Sequence, residues 1–534
     1  MPLCSRKGIQ NLFRTSGLVA VLATATLALS SCGGGGGGAA APAPAPPPTL
    51  PPPSNGNQPY SDPTSYSSAA SASLGATVVE AAAITHHQIN LHGTTVDYTA
   101  TAGHLTARDP TTGVQEASFF YVAYTLDNQA AATRPVTFFY NGGPGSATVW
   151  LHLGSFGPKR LVTGDPSTSA PTPFALVDNA ETLLDTSDLV FVDAIGAGLS
   201  QAIAPNTNQT FWGVDQDARV FRDFIVRYLT VNNRLASPKF LFGESYGTTR
   251  SAVLANVMEA AGVGLKGVVL QSSVLNYNSN CGVVNLILSC AGYLPSYGET
   301  GAYFNLASPA PTDPVAYAQQ LRDFTVNTYT PADVIFLTNR VLPTTAVLSQ
   351  LQGFTGIPVS LWQSNFNLTP GVFQARLRPG FLIGRYDARV IAPAGSALAS
   401  EGDPSSTFIS AQFSSTIASY LVNFLQYGNS STYVLLGSAI NTWDFSHDGH
   451  MLPDTIPDLA AAFAQNPNLK VLAVNGYHDL ATPFFQTEVD LARLGSMPNI
   501  SVRNYAGGHM TYLDDTSRPL ERADLQVFYQ NALQ

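Results

Sequence analysis

The sequence predicts an α/β fold: a mostly parallel central sheet interrupted by an inserted, largely helical cap. Three observations carry this. Short apolar runs at 136–140 (VTFFY), 188–192 (DLVFV) and 240–242 (FLF) each open into a glycine-rich turn, as buried parallel strands do. Helical stretches such as VDQDARVFRDFIVRYLTV lie between them. The strand pattern then stops near Ser273 and resumes at Lys470.

Taken in order, residues 1–31 stand apart from the fold. Arg6, Lys7 and Arg14 form a basic n-region, and Leu18 to Leu29 an apolar h-region too short to span a bilayer comfortably. The segment ends Leu29-Ser30-Ser31-Cys32, which resembles the lipobox of bacterial lipoprotein signal peptides. The resemblance implies cleavage before Cys32 and lipidation of its thiol, whereas an ordinary secretory signal would be cut near Ser31. Either way the chain is expected to be exported, as a periplasmic or cell-surface lipoprotein attached to the outer membrane on the first reading. Residues 32–75 are dominated by Gly, Pro, Ala and Ser and are expected to form the anchor and a spacer. No later apolar run is long enough for a membrane span.

The catalytic body is expected over 76–272 and 443–534. Alternating runs between 76 and 133 predict an antiparallel lead-in, and His86, His87, His92 and His104 there are expected to be solvated polar positions. Strands follow at 136–140, 188–192, 240–242 and 267–270, then at 470–474 and 500–502. Between 273 and 442 helical stretches alternate with aromatic and proline-rich loops, which predicts a cap roofing the site. Cys4 leaves with the signal and Cys32 takes lipid, so Cys281 and Cys290 remain as an expected disulfide.

The chain carries a formal charge of −10; export removes three basic residues and no acidic one, leaving −13. With no basic cluster, nucleic acid and charge-driven lipid binding are excluded as partners. No Cys/His cluster has metal-ligand spacing, and no cofactor is expected. The oligomeric state is open.

The chemistry centres on Gly243-Glu-Ser-Tyr-Gly247, a Gly-x-Ser-x-Gly turn between a strand and a helix. Such an elbow exposes the serine oxygen above the sheet beside a helix N-terminus. Ser245 is therefore the candidate nucleophile, and it needs a histidine base and an acid that orients the histidine. In α/β-hydrolases these follow in the order nucleophile, acid, histidine. Asp479, in NGYHD after the 470–474 strand, fits the acid. His509, in YAGGHM after the 500–502 strand, fits the base. His478 adjoins the acid on the same loop, and His447 and His450 read as structural or rim groups.

Four blocks resemble the serine carboxypeptidase family, its bacterial branch in particular: FFYNGGPGS with FGP downstream, LVFVDAIGAGLS, GESYG, and the pair NGYHDLATP and AGGHMTYLD. WLHLGSFGPKR and GRYDAR resemble that branch as well. The resemblance implies an α/β-hydrolase fold and a peptidase acting near the C-terminus of peptide substrates. It also implies an oxyanion hole from the N–H groups of Gly143 and Tyr246, and contacts from Asn141, Gly142 and Glu244 to the substrate's terminal carboxylate. Two carboxyls meeting there need a shared proton, so acidic pH is expected to suit the enzyme. The sequence departs from the family twice: its tryptophan is Phe139, and its second recognition glutamate falls on Ser155. An esterase or acyltransferase on the same triad is the alternative, and a non-catalytic surface lipoprotein binding module the more distant one.

Overall fold

The computed structural model describes residues 56–164, 166, 173–284 and 286–534, which fall in one compact unit. The signal peptide, Cys32 and the spacer up to residue 55 lie outside the described residues.

A short β1 (Tyr60–Asp62) leads into three long antiparallel strands, β2 (Ala82–Leu91), β3 (Thr94–Arg108) and β4 (Gln115–Leu126). Then come β5 (Val136–Tyr140), α1 (Val149–Gly154), the ribbon β6–β7 (Lys159–Val162, Ala175–Asp178), β8 (Asp188–Val192) and β9 (Gln201–Ala202). The elbow half follows: α2 (Val214–Val231), β10 (Lys239–Glu244), α3 (Tyr246–Ala260) and β11 (Gly267–Gln271). The insertion holds α4 (Leu294–Tyr303), α5 (Pro314–Phe324), α6 (Thr330–Asn339), α7 (Thr345–Thr355), α8 (Val359–Ser364), α9 (Pro370–Arg376), the ribbon β12–β13 (Phe381–Ile383, Ile391–Pro393) and α10 (Pro404–Asn423). After β14 (Tyr427–Asn429) come α11 (Ile456–Gln465), β15 (Lys470–Gly476), α12 (Phe484–Ala492), β16 (Ile500–Tyr505) and α13 (Ser517–Leu533).

The central sheet runs β16-β15-β11-β10-β5-β8-β4-β3-β2, with β9 paired to β4. The six strands from β16 to β8 are mutually parallel and the rest join antiparallel. This is the α/β-hydrolase architecture with a mostly parallel sheet that the sequence predicts. Strand alternation explains its two cores. Val136, Phe138 and Tyr140 of β5 face α2 and α3 with Leu241 of β10; Phe139, Phe240 and Phe242 face α1, α10 and α13. The strand-like hydrophobic runs are buried on both faces, so they show no polar alternation.

The insertion has its own core around Tyr297, Trp362, Phe366 and Phe373. Cys281 and Cys290 are bonded at its entrance, with Cα atoms 5.3 Å apart. Asp313 caps α5 by accepting from the N–H groups of Val315 and Ala316. Among the described residues no helix is long and apolar enough to cross a membrane.

Two boundaries differ from the sequence reading. Residues 56–75, assigned there to the spacer, pack on the body. β1 pairs in parallel with β14, and Asp62 accepts hydrogen bonds from Tyr66 (2.8 Å) and Tyr427 (2.6 Å) beside the buried His104 (3.4 Å). Low apolar content hid this, because the contacts are polar and made with residues far away in the chain. His104 is consequently a core group rather than a solvated one. At the other end α10 and β14, read as cap, bury Phe413, Ile417, Tyr420 and Tyr427 in the sheet's second core.

These contacts predict that truncation up to residue 75 destabilises the protein where truncation up to 55 does not. Asp62→Ala, which strips the buried Tyr427 and the half-buried Tyr66 of their acceptor, should cost about 2–3 kcal/mol in denaturant unfolding. Equal midpoints for both truncations would return 56–75 to the spacer.

Candidate active site

The carboxyl ends of β5, β10, β11, β15 and β16 lie side by side, Gly243 opposite Tyr140, Glu244 opposite Gln271, Gln271 opposite Val474 and Gly476 opposite Tyr505. Every sequence-predicted site residue except Cys32 and the disulfide pair sits on this edge. Ligand sites of open parallel sheets occur at such ends because the loops diverge there.

Ser245 sits between β10 and α3 with φ 60° and ψ −127°, a region that L-residues rarely adopt and that costs about 1–3 kcal/mol. The turn closes so tightly that a Cβ at Gly243 would lie 2.2 Å from the Gly247 carbonyl oxygen. Gly142 is pressed against the same turn, its absent Cβ only 2.4 Å from the Tyr246 nitrogen. The Ser245 N–H donates to the Gln271 carbonyl at 3.0 Å, and its carbonyl accepts from the Thr248 N–H and hydroxyl at 2.9 and 2.7 Å.

Asp479 is fully buried and saturated. Its Oδ1 accepts from the N–H groups of Ala481 (2.7 Å) and Thr482 (3.0 Å), and its Oδ2 from the Thr482 hydroxyl (2.9 Å) and His509 Nδ1 (2.8 Å). A carboxylate can only accept, so the His509 proton lies on Nδ1 and Nε2 is left as a base. The imidazole is fixed from behind as well. The His509 N–H donates to the Tyr386 carbonyl at 2.6 Å, and its carbonyl accepts from Gln271 Nε2 (3.1 Å) and Ser272 Oγ (2.5 Å). Burial opposes an imidazolium here, but the charge and hydrogen bond of Asp479 outweigh it, so the His509 pKa is raised.

Ser245 and His509 line one cleft with Asn141, Gly142, Gly143 and Glu244. Tyr246 is the first residue of α3, so its N–H has no acceptor within the helix. The Asn141 side-chain oxygen accepts from the Leu151 N–H at 3.1 Å. Glu244 is buried and accepts from the Tyr512 hydroxyl at 2.6 Å. Burial pushes its pKa up to about 7, assisted by Asp479 and opposed by His509, Tyr512 and Asn141.

Neither departure residue reaches the cleft. Phe139 is stacked between Phe191 and Phe242 in the core, and the Ser155 hydroxyl donates to the Leu151 carbonyl at 2.6 Å. His478 is buried against Tyr303, away from the cleft, its pKa lowered to about 3 by burial. His447 is clamped between Asp215 (2.7 Å) and Asp458 (2.8 Å), chiefly by Asp458, which hold its pKa at about 9. Together with Asp448 it forms a group of metal-ligating type, but both ring nitrogens already face carboxylates. His450 is exposed.

Sequence reasoning missed Arg250. It is fully buried, pairs with Asp217 through Nε (2.7 Å), donates Nη1 to the Asn141 carbonyl (2.9 Å), and lies 4.2 Å from the centre of the Phe221 ring. It thereby ties the glycine loop to α2 and α3. An Arg three residues after the last elbow glycine, Gly247, on a buried helix was the available signal, since such a cation requires a partner. Tyr386, Thr482 and Tyr512 were also missed, being ordinary polar residues until the fold gathers them.

Residues 90–285 match the model of the serine carboxypeptidase family, which spans the glycine loop and the elbow and ends before Asp479 and His509. Among curated proteins no relative matches. The structure is similar to that of a prohormone-processing carboxypeptidase from Saccharomyces cerevisiae, at 15% identity and a TM-score of 0.51, covering 81% of this chain and 91% of that one. It is similar more remotely to a proline iminopeptidase from Mycobacterium smegmatis, at 15% identity and a TM-score of 0.33, over 80% and 98% of the two chains. The family model covers less than half of the chain, and the likeness to the yeast carboxypeptidase structure shows the fold.

Arg250→Met should destabilise the protein by roughly 3–5 kcal/mol, since it leaves Asp217 buried without its cation. Urea unfolding reads this, and Asp217→Asn added to it should recover part of the loss. A near-neutral Arg250→Met would mean the loop is held by other contacts.

Proposed function

We propose that the protein is an exported serine peptidase of carboxypeptidase type, hydrolysing peptide bonds near the C-terminus through an acyl-enzyme on Ser245. The observation that carries this is the convergence on one cleft of the strained Ser245, the His509–Asp479 pair at 2.8 Å, and a buried carboxyl, Glu244. In the proposed first step Ser245 Oγ attacks the scissile carbonyl while His509 Nε2 takes its proton. The oxyanion that forms is met by the N–H groups of Gly143 and Tyr246. His509 then gives the proton to the leaving amine as the C–N bond breaks, and water repeats the sequence to release the acid. Asn141, the Gly142 N–H and protonated Glu244 receive the substrate's terminal carboxylate.

Ester hydrolysis or acyl transfer is the second reading. It is favoured by Ser155, whose hydroxyl is turned away from the cleft, so that one acid stands where the family has two. Labelling by a fluorophosphonate and turnover of N-blocked dipeptides against matched esters separate these readings from a non-catalytic module.

The proposal includes a lipid anchor on Cys32, supported by the basic and apolar stretches that precede Leu29-Ser-Ser-Cys32. Cys32→Ala should release an active, soluble enzyme; wild-type protein found wholly in the aqueous phase of a detergent separation would contradict the anchor.

Ser245→Ala and His509→Ala should each lower turnover by about 10⁴-fold or more, with Asp479→Asn comparable or milder. Near-normal peptidase activity in Ser245→Ala would remove the assignment.

The pH dependence has two limbs. His509 works as a base only when neutral, so activity rises as pH climbs through its raised pKa. Glu244 receives a carboxylate only when protonated, so activity on free C-termini falls as pH climbs through about 7. Free-acid peptides should therefore give a bell-shaped kcat/KM whose falling limb lies at about pH 7, above the acidic range expected from the sequence. Amidated peptides should keep only the acid limb. Identical profiles for the two substrates would remove Glu244 from recognition.

A further inference from the structure

The turn that follows His509 reaches two buried acids. Thr511 donates its hydroxyl to Glu521 Oε2 at 2.6 Å, and Tyr512 donates to Glu244 Oε2 at 2.6 Å. Tyr512 is fully buried, and its ring lies against the end of α1: a Cβ at Gly154 would come within 3.0 Å of its Cε2. The next residue is Ser155, whose hydroxyl is committed to a helix carbonyl and offers Glu244 nothing. The tyrosine ring thus stands beside the position that lacks an acid, and its hydroxyl meets the acid that remains.

We propose that Tyr512 is a positioning and specificity-determining residue: its hydroxyl fixes Glu244 for single-proton recognition of the terminal carboxylate of a peptide, replacing an acid partner with a neutral donor. This rests on the reading of Glu244 as the group that meets that carboxylate. With Oε2 accepting from Tyr512, the proton of neutral Glu244 resides on Oε1 and is available to a ligand. A phenol differs from an acid in bringing no second negative charge toward the oxyanion. Burial and the Glu244 charge keep it protonated well above the usual tyrosine range.

The charged and titratable groups that act on Glu244 are His509 and Asp479 from the two C-terminal loops, Tyr512 itself, Tyr386 from the cap and Glu521 from α13. His509 favours the ionised form and Asp479 the neutral one. Tyr512, as a donor to the carboxylate, favours the ionised form too, so its removal moves Glu244 in a defined direction.

The test is Tyr512→Phe, which keeps the ring, assayed on matched peptides with free and amidated C-termini across the neutral range. On the low-pH side of the falling limb, where Glu244 is protonated in both proteins, the ratio of kcat/KM for free over amidated peptide should fall about tenfold, the scale of one lost hydrogen bond. The falling limb on the free peptide should move to higher pH. In a Glu244→Gln background the same substitution should leave the ratio unmoved, because the group it positions has gone. An unchanged ratio and limb in Tyr512→Phe would overturn the proposal, as would loss of fluorophosphonate labelling, which would make the hydroxyl a support of the whole site. Wild-type enzyme that treats both peptides alike at every pH would overturn the carboxypeptidase reading itself, and this inference with it.

Discussion

One backbone reversal organises the catalytic edge. Ser245 must leave β10, turn through a positive φ and start α3 within a single residue. That demand excludes side chains at Gly243 and presses Gly142 against the first turn of the helix. The same contact brings the Gly143 loop and the Tyr246 N–H to one spot, so the strain stored at the serine and the placing of the anion donors are a single structural fact. Parallel pairing with β5 and β11 supplies the rigidity against which the strain is held. Arg250 locks the glycine loop from beneath, and it can do so only because Asp217 and the Asn141 carbonyl neutralise and solvate it in a fully buried place.

The second constraint is proton economy in a dry cleft. Three ionisable groups share it, and burial acts on each according to its charge type. It raises the carboxyl of Glu244 and opposes the imidazolium of His509, while Asp479 keeps that imidazolium favourable through its own hydrogen bonds. Asp479 itself accepts two backbone N–H groups and a threonine hydroxyl, so its charge is solvated by the protein. The outcome is a base whose pKa is raised above its ordinary value beside an acid whose pKa is pushed up to about 7. Groups so close together share their titrations, and the macroscopic values belong to the set.

The sheet was legible because parallel strands write themselves plainly. Val136–Tyr140 and Asp188–Val192 are short, mostly apolar runs that lead into glycine-rich turns, and both occur with those bounds. Ser245, Asp479 and His509 could be picked out from chain order and glycine context, and the fold brings all three to one edge. What stayed hidden depends on tertiary encounter. Asp62 gains meaning only where Tyr427 meets it across 365 residues, and α10 reads as cap until Phe413 and Ile417 are seen under the sheet. Tyr512 follows His509 by three positions, yet nothing in its neighbours announces a bond to Glu244.

The insertion also does more than roof the site. Tyr386 accepts the His509 N–H, and a Cβ at Gly508 would strike the Tyr386 carbonyl at 2.3 Å, so cap backbone and histidine loop are in direct contact. Arg389 then joins Asp387 of the cap to Asp514 beyond the histidine, each at 2.7 Å. Burial disfavours the Asp514 charge, but hydrogen bonds from Thr516 and Arg389 outweigh it and depress its pKa below the usual carboxylate range. A depressed carboxyl contributes stability above its unfolded pKa and loses it only as pH falls through the folded one. The link therefore persists while His509, with its raised pKa, becomes protonated. Loss of activity then follows from the charge on the base, with the loop that carries it still held in place.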